Sequence, residues 1–114
     1  MKLLEAIVKA DAMRPNALDD QAKAAWIYEL EGEYSEMMRV DPPENTFPED
    51  SELLMPYPHD NVYVLWLMAK IDFALEESAS YQNDMAVFNA ENSAARSWWQ
   101  RNYGRSDRAV ARWW

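Results

Sequence analysis

Eight apolar or aromatic residues form an unbroken run, Val62-Tyr63-Val64-Leu65-Trp66-Leu67-Met68-Ala69. Its β-branched and aromatic members are compatible with a strand, but the apolar pattern continues past Lys70 to Leu75 without a turn signal. We therefore predict a helix that begins near Asp60, a good capping residue, and ends near Glu77. A helix that is apolar nearly all round is a central helix, which we expect its neighbours or another subunit to cover.

Three further segments have apolar residues at helical spacing. The first covers 3–13 and ends before Pro15, because proline disfavours the helical conformation of the residue that precedes it. The second runs from about 19 to 39, and the last from about 80 to 103, where Gly104 is a natural stop. The sequence thus predicts an all-α fold, a small bundle of about four helices.

Each of the two longer helices has an apolar stripe that we expect to face the core. The stripe of the second helix consists of Trp26, Leu30, Tyr34 and Met37, widened by Ile27 and Met38. The stripe of the last helix consists of Tyr81, Met85, Phe88, Asn92, Ala95 and Trp99. Gly32 lies inside the second helix, where it costs about 1 kcal/mol relative to alanine and leaves room for close packing.

The long connection at 40–59 is rich in proline, and a loop of this length in a small domain is usually functional or ordered by a partner. We expect Phe47 to contact a partner. The end of the loop is too apolar to be free in solvent, and we expect four of its residues to attach it to the core: Leu53, Leu54, Met55 and Tyr57.

Length and composition limit the class of protein. A chain of 114 residues is enough for one domain, here 1–104, followed by a basic aromatic tail at 105–114. Two glycines are too few for most β-sandwiches, and the absence of cysteine excludes a disulfide scaffold or a thiolate metal site. No apolar run approaches the length of a membrane span, so we expect a soluble protein without a membrane partner.

The charge is unevenly distributed along the chain. Residues 1–60 contain 14 acidic and 5 basic residues, which accounts for the whole net charge of −9. The last nineteen residues contain five arginines and one acid, Asp107. An acidic body repels phosphate, so ordinary binding to duplex DNA is not expected. An acidic first half and a basic C-terminal end suit a protein whose two ends face different partners.

No motif in the sequence selects an enzyme, and we expect no cofactor and no metal. The acidic pairs Asp19/Asp20 and Glu29/Glu33 lie at solvent-side helical positions. His59, the only histidine, is interpreted as a loop residue near a helix start, because a small hydrolase would also need a nucleophile that the sequence does not identify.

Several polar and aromatic residues are candidates for partner contacts. Asp72 interrupts the apolar face of the third helix, where it either reaches the surface or, as we expect, pairs with an arginine or asparagine of the last helix or of a neighbouring subunit. Neighbouring tryptophans on a helix point about 100° apart, so at least one of each pair should meet solvent or a partner. The predicted partner-binding residues are Trp98, Trp99, Arg101, Arg105, Arg108, Arg112, Trp113, Trp114, Phe47 and Asp72.

The asparagines of the last helix are open to two interpretations. Asn83, Asn89 and Asn92 give this helix an unusual amide content, although asparagine is a mediocre helix former. Their side chains either form hydrogen bonds across an interface or lie on a weakly hydrated face.

Two stretches resemble a known family. The sequence PYPHDNVYVLWLMAKID at 56–72 and YQNDMAVFN at 81–89, together with RPNA at 14–17 and an acidic second helix with Trp26, is similar to small proteins of the head–tail gene blocks of tailed phages and prophages. The similarity covers most of residues 1–103. It is a pattern of apolar and amide positions and not a catalytic signature.

The resemblance implies a head–tail connector, also called an adaptor or head-completion protein. Such proteins are helical bundles that form a ring of their own copies beneath the portal, with its twelvefold symmetry. They extend the channel through which DNA passes without sequence-specific binding, and they provide the surface on which the stopper or tail docks. The expected location is the virion, after synthesis in the cytoplasm of the host bacterium. The basic aromatic tail departs from the short family endings.

An acidic non-enzymatic binding protein, such as a DNA mimic, is the alternative. That interpretation expects acidic residues spaced along one open face of a free monomer or dimer.

Overall fold

The computed structural model describes residues 1–41 and 51–104. It contains four helices, α1 (Leu3–Met13), α2 (Asp20–Met38), α3 (Val62–Ala74) and α4 (Ser78–Tyr103). Of the described residues, 73% are helical, and no strand occurs among them, where a single antiparallel bridge joins Lys2 to Glu52. The predicted all-α bundle of four helices is therefore confirmed. The proline-rich part of the long connection, 42–50, and the tail at 105–114 lie outside the described residues.

Helix α1 has the bounds that the sequence predicts. Its buried residues repeat at steps of three and four positions and form one stripe that faces the core; they are Leu3, Ala6, Ile7 and Ala10. The helix ends at Met13, just before Arg14 and Pro15. The next helix, α2, begins where the side chain of Asp19 accepts a hydrogen bond from the backbone N–H of Gln21, 3.2 Å away.

The apolar stripe of α2 faces the core as predicted, since Ile27, Leu30 and Tyr34 are buried and the other three members are half-buried. The suggested close packing at Gly32 is wrong, because a Cβ at this position would have no atom within 4 Å. This glycine therefore weakens the helix without serving a neighbouring element.

Helix α3 is the centre of the bundle, because α1, α2 and α4 all pack against it. Eight of its thirteen residues are buried within the chain: Val62, Tyr63, Val64, Leu67, Met68, Ala69, Ile71 and Asp72. The indole N–H of Trp66 also donates a hydrogen bond to the carbonyl of Trp26 on α2, 2.7 Å away. Of the two kinds of cover that the sequence allows, neighbouring helices of the same chain supply it over most of α3, and the exception is the last turn, where Phe73 is 66% exposed.

A tight turn joins α3 to α4 without a glycine. The backbone N–H of Glu77 donates to the carbonyl of Asp72, and that of Glu76 donates to the carbonyl of Phe73, at 2.9 and 3.1 Å. This is a Schellman ending with Glu76 in the left-handed conformation at φ 60°. The turn makes α3 and α4 an antiparallel hairpin, and α4 begins two residues earlier than the sequence predicts.

The end of the long connection packs on the core through its apolar residues. Leu53 and Met55 are buried, and Leu54 is half-buried. Tyr57 is 83% exposed, so the prediction that it also attaches the loop to the core is wrong. The peptide bond between Tyr57 and Pro58 is cis. Of the four helices described, none is both long enough and apolar enough to cross a membrane.

Candidate binding surfaces

An aromatic cluster lies near the end of α4. The ring centroid of Trp98 is 4.8 Å from that of His59 and 5.8 Å from that of Tyr103. The ring of Tyr103 also contacts Trp99, with 5.6 Å between the centroids. Both tryptophans are half-buried, and Arg101 is exposed between them and the end of the helix. Each tryptophan therefore keeps part of its surface open to solvent, as the 100° angle between neighbours predicts. His59 lies in the loop before α3, where the sequence places it.

Trp99 also lines a hollow between the ends of two helices. This hollow has a volume of about 250 Å³, and residues from the end of α2 form its other side: Met37, Met38 and Arg39. The other predicted partner-binding residues, Phe47, Arg105, Arg108, Arg112, Trp113 and Trp114, lie outside the described residues, so their role stays a prediction.

Asp72 lies in a cluster of three charged groups that joins three parts of the chain. The guanidinium of Arg14, which follows α1, is 3.3 Å from Oδ1 of Asp72, and its Nη2 is 3.0 Å from Oδ1 of Asp84 on α4. Its Nε donates a second hydrogen bond to the other oxygen of Asp84 at 3.2 Å. The partner of Asp72 thus comes from the end of α1 and not, as predicted, from α4 or a neighbouring subunit.

Two carboxylates compete for the guanidinium of Arg14. Burial raises the pKa of Asp72 to about 6, and the neighbouring Asp84 carboxylate contributes in the same direction. Among the residues that the structure describes, no group forms a hydrogen bond with Oδ2 of Asp72, although this atom is buried. A proton on Asp72 converts its carboxyl into a donor that can face Asp84, so protonation relieves both the repulsion and the unsatisfied oxygen.

A second buried acid was not found from the sequence. Glu31 on α2 is 2% exposed, and its carboxylate accepts hydrogen bonds from the hydroxyl of Tyr63 on α3 and from the backbone N–H of Leu54. Burial raises its pKa. The signal in the sequence is that Glu31 follows Ile27 by four positions, which puts it on the edge of the apolar stripe.

Lys23 was missed in the same way. It is 1% exposed, and its ammonium nitrogen lies 2.9 Å from Oδ1 of Asp11 on α1. Of the three α4 asparagines with two interpretations, only Asn92 is half-buried, where it accepts a hydrogen bond of 2.6 Å from the hydroxyl of Tyr34 on α2. Asn83 and Asn89 are exposed. Asn92 thus forms its contact inside the chain, and both interpretations stay open for Asn83 and Asn89.

A groove lies beside the turn between α3 and α4, and we call it the turn groove. It has a volume of about 830 Å³, and its lining includes Asp72, Phe73, Glu76, Glu77, Tyr81 and Gln82. The exposed ring of Phe73 packs against Tyr81 with 5.4 Å between centroids. The groove therefore combines an aromatic wall with three acidic residues, a lining suited to a ligand that is both basic and apolar.

Within the described ranges, no group of three or more histidine, cysteine, aspartate or glutamate side chains is arranged to hold a metal ion. Comparison with protein-family models, with curated proteins and with solved structures gives no match for this chain. The likeness to phage connector proteins therefore stays a prediction from the residues quoted above.

Proposed function

We propose that this protein is a structural subunit of a tailed-phage virion, a head–tail connector that forms a ring of its own copies under the portal. One observation carries the proposal. The two stretches that resemble the connector family, 56–72 and 81–89, supply nearly all of α3, against which the other three helices pack, and part of the first half of α4. The resemblance thus falls on the structural centre of the molecule and not on a peripheral loop.

The distribution of charge supports contacts between unlike surfaces of identical copies. The turn between α3 and α4 carries two exposed acids, Glu76 and Glu77, while the last nineteen residues of the chain are strongly basic. Opposite charges at different sites of one molecule favour heterologous contacts, which close into a ring when the rotation between copies permits it. An acidic surface toward the channel would let DNA pass without adhering.

The proposed role is one of assembly. The ring would extend the DNA channel of the portal and offer its lower face to the stopper or tail-completion protein. This function requires no turnover and no cofactor, and it places the protein in the virion after synthesis in the bacterial host.

Light scattering coupled to gel filtration tests the proposal. The purified chain is mixed with the portal encoded in the same genome, and portal alone and chain alone are run beside the mixture. We expect the portal peak to gain the mass of a full ring of subunits, twelve on a twelvefold portal. A portal peak of unchanged mass at a large excess of the chain would contradict the connector role.

A DNA mimic is the second candidate, and one feature favours it. Glu29, Glu33 and Glu36 are exposed and share one side of α2, where Glu29 lies 3.6 Å from Lys70 and the other two leave negative charge on an open surface. For this function, the same experiment should give a chain that ignores the portal, and the chain should inhibit a DNA-binding protein of the host. Substitution of lysine for Glu33 and Glu36 together would then abolish the inhibition.

A further inference from the structure

The turn groove has acidic groups that no described cation neutralises. Glu76 and Glu77 are exposed, and neither forms an ion pair with a residue in the ranges that the structure describes. Arg14 is nearby but is shared between Asp72 and Asp84. The groove therefore retains net negative charge toward solvent.

The wall of the groove is apolar in addition to being charged. Phe73 is 66% exposed, although most of helix α3 is covered, and Tyr81 beside it in the groove is half-buried. Arginine satisfies both kinds of surface, because its guanidinium pairs with carboxylates and stacks on aromatic rings. Tryptophan adds a large apolar surface that can pack against Phe73 and Tyr81. The occupant that fits is a segment with both residue types.

We infer that the turn groove binds the C-terminal segment, residues 105–114, of another copy of this chain. The segment has three arginines and ends in two tryptophans, against a single acid, so its composition is complementary to the groove. The inference rests on the self-assembly that the proposed function requires, and it identifies the contact between neighbouring copies.

The length of α4 argues that the segment comes from a second copy. The groove lies at the first turn of α4, and the segment begins at Arg105, just after the last turn and its capping residue Gly104. The 26 residues of α4 separate the two by about 39 Å. Ten residues, even fully extended, span only about 33–36 Å. The terminal tryptophans of the same chain would barely reach the edge of their own groove, while those of a neighbour are not restricted in this way.

Such a contact joins the end of α4 in one copy to the start of α4 in the next. It is heterologous, because the two copies use different surfaces, and so each subunit keeps one free groove and one free segment until the ring closes.

Complementary charge reversals test the inference on the full-length chain. One variant carries Glu76→Lys and Glu77→Lys in the groove, and the other carries Arg108→Glu and Arg112→Glu in the segment. Sedimentation velocity at low salt should show concentration-dependent association of the wild type, weakened about tenfold or more in each variant alone. A mixture of the two variants should form a one-to-one pair, because one supplies an intact segment and the other an intact groove.

A control with the same change of charge separates the groove from a general effect of net charge. Glu33→Lys with Glu36→Lys on α2 should leave the association unchanged. Tryptophan contacts are checked by Trp113→Ser with Trp114→Ser, which should also weaken it while circular dichroism shows an unchanged fold.

Three outcomes would overturn the inference. In the first, the wild type associates and neither the groove variant nor the segment variant weakens this association. In the second, the two variants do not pair when they are mixed. A wild-type chain that stays monomeric at about 0.1–1 mM would overturn it as well. The connector role is judged separately, by the gain in mass of the portal.

Discussion

The hydroxyl of Tyr63 donates a hydrogen bond to the carboxylate of Glu31, and both side chains are buried between α2 and α3. The same hydroxyl accepts a hydrogen bond of 2.7 Å from the backbone N–H of Met55, and Glu31 accepts another of 2.9 Å from Leu54. One acid and one phenol thus satisfy the backbone where the end of the long connection enters the core.

Loss of the Glu31 carboxyl should be among the most damaging substitutions. We expect Glu31→Ala to lower the free energy of unfolding by about 2–4 kcal/mol, because it leaves the hydroxyl of Tyr63 and the N–H of Leu54 without an acceptor. Glu31→Gln should cost less, because its amide oxygen still accepts one of the two bonds. Urea unfolding followed by circular dichroism measures both values. Equal losses in the two variants would show that the hydrogen bonds contribute little.

Asp72 should make the protein less stable as the pH rises. Its pKa of about 6 in the folded state lies above the ordinary aspartate value, so near pH 5 the folded chain holds a proton that the unfolded chain has lost. Its stabilising contribution is therefore complete below about pH 4 and is lost as the pH rises through about 6. Asp72→Asn should increase the free energy of unfolding by about 1–3 kcal/mol at pH 7 and change it little at pH 4.

Urea unfolding of the wild type and of Asp72→Asn from pH 4 to pH 8 provides the test. Glu33→Gln, which removes an exposed acid of α2, is the matched control and should keep the wild-type slope. If Asp72→Asn destabilises the protein at pH 7, then the ionised carboxylate of Asp72 stabilises the folded state. The direction assigned to the shift of its pKa would then be wrong.

Gly32→Ala should stabilise the protein. A Cβ at this position meets no atom within 4 Å, and alanine is favoured in a helix interior by about 1 kcal/mol, which raises the melting temperature by about 3–6 °C. Gly104→Ala serves as the control, because its Cβ would lie 3.0 Å from the carbonyl oxygen of Gln100. Scanning calorimetry should show a gain for the first variant and none for the second.

Glu76→Gly should also stabilise the chain, by about 0.5–1 kcal/mol, because glycine adopts the left-handed conformation without the steric cost of a Cβ. Glu77→Gly changes the next residue, whose φ of −89° is ordinary, and it should destabilise by a similar amount. Thermal unfolding of the two variants should therefore give shifts of opposite sign.

The sequence was sufficient to predict the four helices, because their apolar periodicity and their terminating residues act locally. The bounds of α1 were predicted to the residue. The start of α4 was placed two residues late, since the turn before it is closed by Glu76 in a conformation that usually indicates glycine. The pattern of apolar residues carries no information about the backbone conformation of one turn residue, so the exact start of α4 could not be predicted from it.

Buried charge was the main feature that the sequence did not predict. Nothing in the sequence singled out Glu31, Lys23 or Asp84, yet each is buried with a partner from another part of the chain. Asp72 was recognised as unusual, but its partner Arg14 lies 58 positions earlier in the sequence. Such pairings depend on how helices meet in three dimensions, which a one-dimensional pattern does not specify.

The unequal lengths of the central hairpin have a consequence for how the molecule opens. Helix α4 has twice as many residues as α3, so its second half continues past the start of its partner and meets the loop at His59 through Trp98. Backbone amides in this overhanging half should exchange with deuterium earlier than those opposite α3, since fewer buried contacts must break to expose them. Thermal motion would then loosen this end of the bundle while the rest keeps its native packing.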